Sequence, residues 1–172
     1  MSVSRLSADQ DDMFLNRCVA LARQALAQQL LPVGALVVDP TGRILAESAR
    51  QQGTLDHAEL VALRHVEEWL RQHPYQATLY SSLEPCLMCL GAALNTKVAT
   101  LVFATHDGAR HYTDILSATP FLRYKATKLR VRGEPSAQPR VHARALLAQY
   151  WYTMGERAKA MAFEEDDTTQ HW

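Results

Sequence analysis

Two short segments contain the residue types of a catalytic metal centre: His57-Ala58-Glu59 and Glu84-Pro85-Cys86-Leu87-Met88-Cys89. Zinc accepts imidazole nitrogen and thiolate, and a catalytic zinc keeps three protein ligands with one position open for water. Cys86 and Cys89 are three residues apart at the expected start of a helix, so both sulfurs can face one point. The amides and dipole of that helix start favour the thiolates. His57 begins a second helix, and two helix N-termini aimed at one ion would set three ligands. Glu59 is not needed as a fourth ligand. It can instead take a proton from water and return it to a substrate ring, while a bound zinc lowers the pKa of water from ~15.7 to roughly 7. The expected assignment is metal at His57, Cys86 and Cys89, with catalysis at Glu59.

Blander readings account for less. An isolated C-x-x-C pair suits a redox couple or a structural zinc knuckle. A redox couple needs neither Pro85 nor an upstream His-x-Glu, and a structural site wants four protein ligands. Cys18 falls on an apolar helical stripe and reads as a small core residue. His65, His73, His142 and His171 read as surface or cap residues, Glu84 as an N-cap carboxylate, and Arg64, Glu67, Glu68 and Arg71 as a solvated, ion-paired face.

The elements that must hold these residues follow from periodicity. Asp11 to Leu30 repeats apolar residues at helical spacing and meets Pro32. Gly34 to Asp39 and Arg43 to Glu47 read as a hairpin around Pro40 and Gly42. Asp56 is placed to cap a helix from His57 to about Gln72. Thr78 to Leu83 is strand-like, Leu87 to Thr96 a short helix, Val98 to Ala104 a buried strand, and Lys128 to Arg132 a weaker one. Gln138 to about Met161 reads as a final helix. Thr105 to Thr127 is long enough for a crossover, so the last two strands are expected to run parallel. The alternation implies one α/β domain with helices on both faces of a sheet, spanning 1–172 with flexible tails at 1–8 and 164–172.

Composition sets the outer bounds. The 172 residues are 48% hydrophobic and 21% charged, ordinary for a single globular domain. Acidic and basic residues balance at 18 each, so no global field attracts a polyanion. No apolar run reaches the ~20 residues that span a bilayer, and the first ten residues lack the order of a signal peptide. A cytoplasmic protein with no membrane partner is expected. Three cysteines are too few for a disulfide framework.

The order His-x-Glu, then Pro-Cys-x-x-Cys, is that of zinc nucleobase deaminases. With Pro32-Val33-Gly34-Ala35 and Ser82 through Ala92, the chain resembles the cytidine/deoxycytidylate deaminase superfamily. Within it, the chain is most similar to the branch holding tRNA adenosine deaminases and guanine deaminases. That resemblance covers Asp11 to Arg132 and, more loosely, the last helix. It implies a three-layer α/β/α sandwich around a mixed five-stranded sheet, zinc as cofactor, and a homodimer.

Substrate contacts are expected from Ala58, from Asp107 and His111 in the His106 to Tyr112 loop, and from Tyr150 and Trp151. The chain departs from that branch in two places. Ala46 to Gln51 contains no Asn, and the stretch after Ala104 keeps Asp107 but lacks the Lys-x-Gly pattern. The last helix, with Tyr150-Trp151-Tyr152, instead resembles tRNA adenosine deaminases. The expected substrate is a free amino-purine-like base or nucleoside, with tRNA adenosine as the alternative. A catalytically silent scaffold subunit, the reading from another class, is disfavoured by the presence of Glu59.

Overall fold

Ser7 opens the first helix of the computed structural model, which describes residues 7–108 and 110–164. Its side chain accepts from the Gln10 amide while Gln10 Oε1 accepts from the Ser7 amide, a reciprocal cap. Helix α1 (Ala8–Ala27) buries Phe14, Leu15, Cys18, Val19 and Ala22. It ends before Leu30 because Gln29 takes a left-handed conformation (φ 59°).

Strands β1 (Gly34–Val38) and β2 (Ile44–Ala49) form the expected antiparallel hairpin. Asp39 holds its turn by accepting from the Thr41 amide and hydroxyl and the Arg43 amide. Gly42 supplies the left-handed residue there (φ 89°).

Strands β3 (Thr78–Ser81), β4 (Thr100–Phe103) and β5 (Arg130–Gly133) complete a five-stranded sheet of order β2-β1-β3-β4-β5. β1 and β3 pair antiparallel, whereas β3, β4 and β5 run parallel, so the sheet is mixed. Successive strand residues serve opposite faces. Ala35, Val37, Leu79, Leu101 and Phe103 join one core with α2 (Ala58–His65), α3 (Glu67–Gln72) and α4 (Leu87–Asn95). Leu36, Val38, Tyr80 and Val102 join the other with α1 and α6 (Ala137–Thr153). The result is the three-layer α/β/α sandwich.

Two long helices of the sequence reading are each divided. His57 to Gln72 breaks at Val66, which has non-helical backbone angles and separates α2 from α3. The last helix stops at Thr153, Gly155 turns left-handed (φ 76°), and α7 (Arg157–Met161) follows. The crossover between β4 and β5 carries a 3-10 turn at Tyr112–Ser117 and α5 (Pro120–Ala126), begun by Thr119 accepting from the Leu122 amide. The expected tails lie almost entirely outside the described residues. Among the described residues no helix is long and apolar enough to cross a membrane.

Candidate active site

Both motif segments arrive at helix starts. His57 is the N-cap of α2 and Cys86 the N-cap of α4, so Cys89 falls at the third position of that helix, facing the same way. His57 Nδ1 lies 3.6 Å from Cys86 Sγ and 3.5 Å from Cys89 Sγ, and the two sulfurs are 3.7 Å apart. Zn–S bonds of ~2.3 Å and Zn–N bonds of ~2.0–2.1 Å at tetrahedral angles require S···S near ~3.8 Å and S···N near ~3.6 Å. The triangle of donor atoms fits a zinc ion.

The electrostatics agree. The Cys89 side chain, the helix-start amides of Cys89 and Met88, and His57 together hold the Cys86 thiol down at about 5 despite its burial. Cys89, sharing a proton with Cys86 and deeper in the protein, is pushed up. A divalent cation would relieve that competition by taking both sulfurs as thiolates.

Glu59 is 3% exposed, in the first turn of α2. Its Oε1 accepts from Ser81 Oγ at 3.1 Å, and its Oε2 lies 3.6 Å from Cys89 Sγ. Burial raises its pKa to about 7, and the charge of a bound zinc would draw it back down. It holds no place in the donor triangle.

The centre opens into a cavity of about 240 Å³. Its walls include His57, Ala58, Glu59 and Cys86 from the two helix starts, with Leu31, Val33 and Arg50 on one side. Leu83, Glu84, Asp107, Arg110, Tyr112 and Trp151 complete it. Glu84 does not cap α4, whose N-cap is Cys86. It is buried and holds the following loop instead, accepting from Thr113 N and Oγ1 through Oε1 and contacting His106 Nδ1 at 2.8 Å through Oε2. Asp56 likewise makes no side-chain cap on α2 and pairs with Arg64.

Of the expected substrate contacts, Ala58, Asp107 and Trp151 line the cavity. His111 is exposed at the start of the 3-10 turn, its ring 4.2 Å from that of His106. Tyr150 packs its ring at 5.0 Å against Trp151, outside the lining residues. Arg50, Arg110 and Tyr112 were not singled out from sequence. Arg50 lies within the very stretch, Ala46 to Gln51, whose missing Asn was noted, and that gap was the only signal for it. Asp107 accepts from Arg110 at 3.1 Å and from Tyr112 at 3.2 Å, so the three act as one wall.

The family profile described as the cytidine and deoxycytidylate deaminase zinc-binding region matches residues 8–105. A tRNA-specific adenosine deaminase of Haemophilus influenzae is 34% identical over 112 residues, 62% of this chain and 65% of that protein. The chain thus spans just under two thirds of that relative's length. A solved structure from work on A-to-I editing by tRNA:A34 deaminases at the wobble position superposes with a TM-score of 0.65 at 24% identity, covering 79% of this chain and 99% of the other. A guanine deaminase of Bacillus subtilis gives a TM-score of 0.51 at 32% identity, covering 62% and 68%.

Proposed function

The chain belongs to the cytidine and deoxycytidylate deaminase zinc-binding family, and from that premise we propose that it is a hydrolytic deaminase of free amino-purine bases or nucleosides. The observation that carries this is the donor triangle of His57, Cys86 and Cys89 beside the buried Glu59, opening into one small cavity. His57, Cys86 and Cys89 would hold the zinc. A bound zinc supplies an activated water at neutral pH.

The remaining chemistry falls to the chain's own side chains. Glu59, with no ligand duty, accepts one proton of the attacking water and delivers it to the ring nitrogen. It then takes the remaining proton of the added hydroxyl and delivers it to the departing amine, which leaves as ammonia. Ser81 donates to Glu59 Oε1, which keeps that carboxylate oriented. Ala58 and Leu83 offer apolar wall to a flat ring, and Asp107, held by Arg110 and Tyr112, offers an acceptor to a ring N–H or amino group. The cavity is below the ~300–1,000 Å³ of pockets that enclose drug-sized ligands, which supports a single base or nucleoside as the occupant.

A second reading, deamination of adenosine in tRNA, is favoured by the relatives named for that reaction and by one surface. Arg123, Lys125, Lys128 and Arg130 are exposed beside Phe121 and Tyr124, and no acidic residue occurs between Asp114 and Glu134. A homodimer is supported by the exposed apolar side chains of Leu87 and Met88 on α4 and Ile115 on the adjoining 3-10 turn. Cytoplasmic residence accords with a nucleobase substrate.

The test is ammonia release by zinc-loaded protein from amino-purines, amino-pyrimidines, their nucleosides and tRNA. Release from free amino-purines is expected. Release from tRNA alone, with binding that weakens steeply with salt, would transfer the assignment to the second reading.

A further inference from the structure

We infer that Arg50 selects the substrate ring, by donating from its guanidinium fork to an adjacent carbonyl oxygen and ring nitrogen such as O6 and N7 of a 6-oxopurine. The inference rests on reading the cavity as a purine deaminase's substrate site.

Arg50 directly follows β2, and its backbone amide is fixed to the Val33 carbonyl at 2.8 Å. Both residues line the cavity beside the donor triangle. Arg50 Nη1 is buried and has no hydrogen-bond partner, one of two such side-chain atoms among the described residues. A buried donor left unsatisfied is costly, and a native structure rarely keeps one without a use.

The cavity does not lack carboxylates to pair with it. None of them pairs with Arg50: Glu59 accepts from Ser81, Glu84 accepts from Thr113 and contacts His106, and Asp107 accepts from Arg110 and Tyr112 through Oδ2. The nearby Asp56 is held by Arg64. Arg50 is therefore the cationic donor that the site leaves for its ligand.

The chemistry of that ligand follows from the fork. A guanidinium offers parallel donors that match two neighbouring acceptors, and O6 with N7 of guanine is such a pair. Adenine presents an amino group beside N7, a donor where the fork needs an acceptor. A 6-oxopurine whose amine is at C2 keeps O6 and N7 free for Arg50 while its amine is the group removed. The preferred substrate class is therefore 2-amino-6-oxopurines.

The experiment uses the zinc-loaded 172-residue protein, with zinc content and melting temperature confirming each variant. Calorimetry measures hypoxanthine, which has O6 and N7 but no amine to lose, against unsubstituted purine, which lacks O6. Wild type should bind hypoxanthine about 10- to 100-fold more tightly than purine. Arg50→Gln should erase that ratio, and Arg50→Lys, which keeps the charge but not the fork, should erase most of it. In turnover, the preference for guanine over 2-aminopurine should collapse in parallel.

An unchanged ratio in Arg50→Gln, or no hypoxanthine binding by wild type, overturns the inference. Full retention in Arg50→Lys overturns it too, since a bare charge of the kind that holds phosphate would then suffice. Because hypoxanthine releases no ammonia, the two readings fail separately. A protein that binds it through Arg50 yet deaminates nothing refutes the reaction, and one that deaminates amino-purines with an Arg50-independent ratio refutes the role of Arg50.

Discussion

Glu59 carries the division of labour at the residue scale, because a carboxylate so close to three metal-binding groups either ligates or transfers protons. Its position outside the donor triangle supports proton transfer. Glu59→Gln is nearly isosteric, so zinc content and melting temperature should stay near wild type while turnover falls by ~10²–10⁴ or more. Zinc lost together with activity would make Glu59 a ligand and refute the division. Cys86→Ala, by contrast, removes one of the three proposed ligands, so elemental analysis should find most of the zinc gone and a lower melting temperature, since metal binding stabilises the folded state. The four motif residues were legible in the sequence because their spacing is local: two positions across His57 and Glu59, three across Cys86 and Cys89. Arg50 was not, because what matters about it is that the carboxylates of three other segments pair elsewhere.

At the scale of elements, the apolar stripes indicated both helices that present His57 and Cys86, but the observed N-caps are His57 and Cys86 themselves rather than the acidic residues read as caps. The caps themselves were misjudged for one reason. Glu84 and Asp56 were weighed against their sequence neighbours, whereas their partners lie 22 and 29 residues away for Glu84 and eight for Asp56. Glu84 ties the loop carrying Asp107 to the start of α4, so Glu84→Gln should free that loop. The expected result is a raised KM with zinc content unchanged, and increased amide hydrogen exchange confined to residues 106–117. A uniform loss of zinc would show that Glu84 supports the metal instead. β1 and α1 meet at Gly34, where a Cβ would stand 2.2 Å from the Cys18 carbonyl oxygen and 2.5 Å from Leu21 Cβ. Gly34→Ala should therefore lower stability by ~1–3 kcal/mol or more through overpacking, read as a shift in urea midpoint. An unchanged midpoint would mean that α1 can move off the sheet freely.

For the whole molecule, the alternation of helix and strand was enough to give the α/β layering, and the length of the 105–127 crossover gave the parallel β4–β5 pair. The places where Val66 and Gly155 interrupt the long helices were not legible, because apolar periodicity runs on through both breaks. The layering matters to the proposed function because the C-terminal ends of β3 and β4 lead into Ser82-Leu83-Glu84 and Ala104-Thr105-His106-Asp107, bringing the Cys-x-x-Cys motif and the loop carrying Asp107 to one cavity at an edge of the sheet. The claim that this edge performs hydrolytic deamination has a direct measurement: zinc-loaded protein incubated with guanine in ¹⁸O-water, with ammonia and the labelled product quantified together. The account predicts one ammonia released per product and one solvent oxygen placed on the ring at the carbon that lost the amine, with both signals removed by chelation and restored by zinc. Ammonia without solvent oxygen in the product, or no ammonia from guanine or any other amino-purine by protein with its zinc in place, would contradict it.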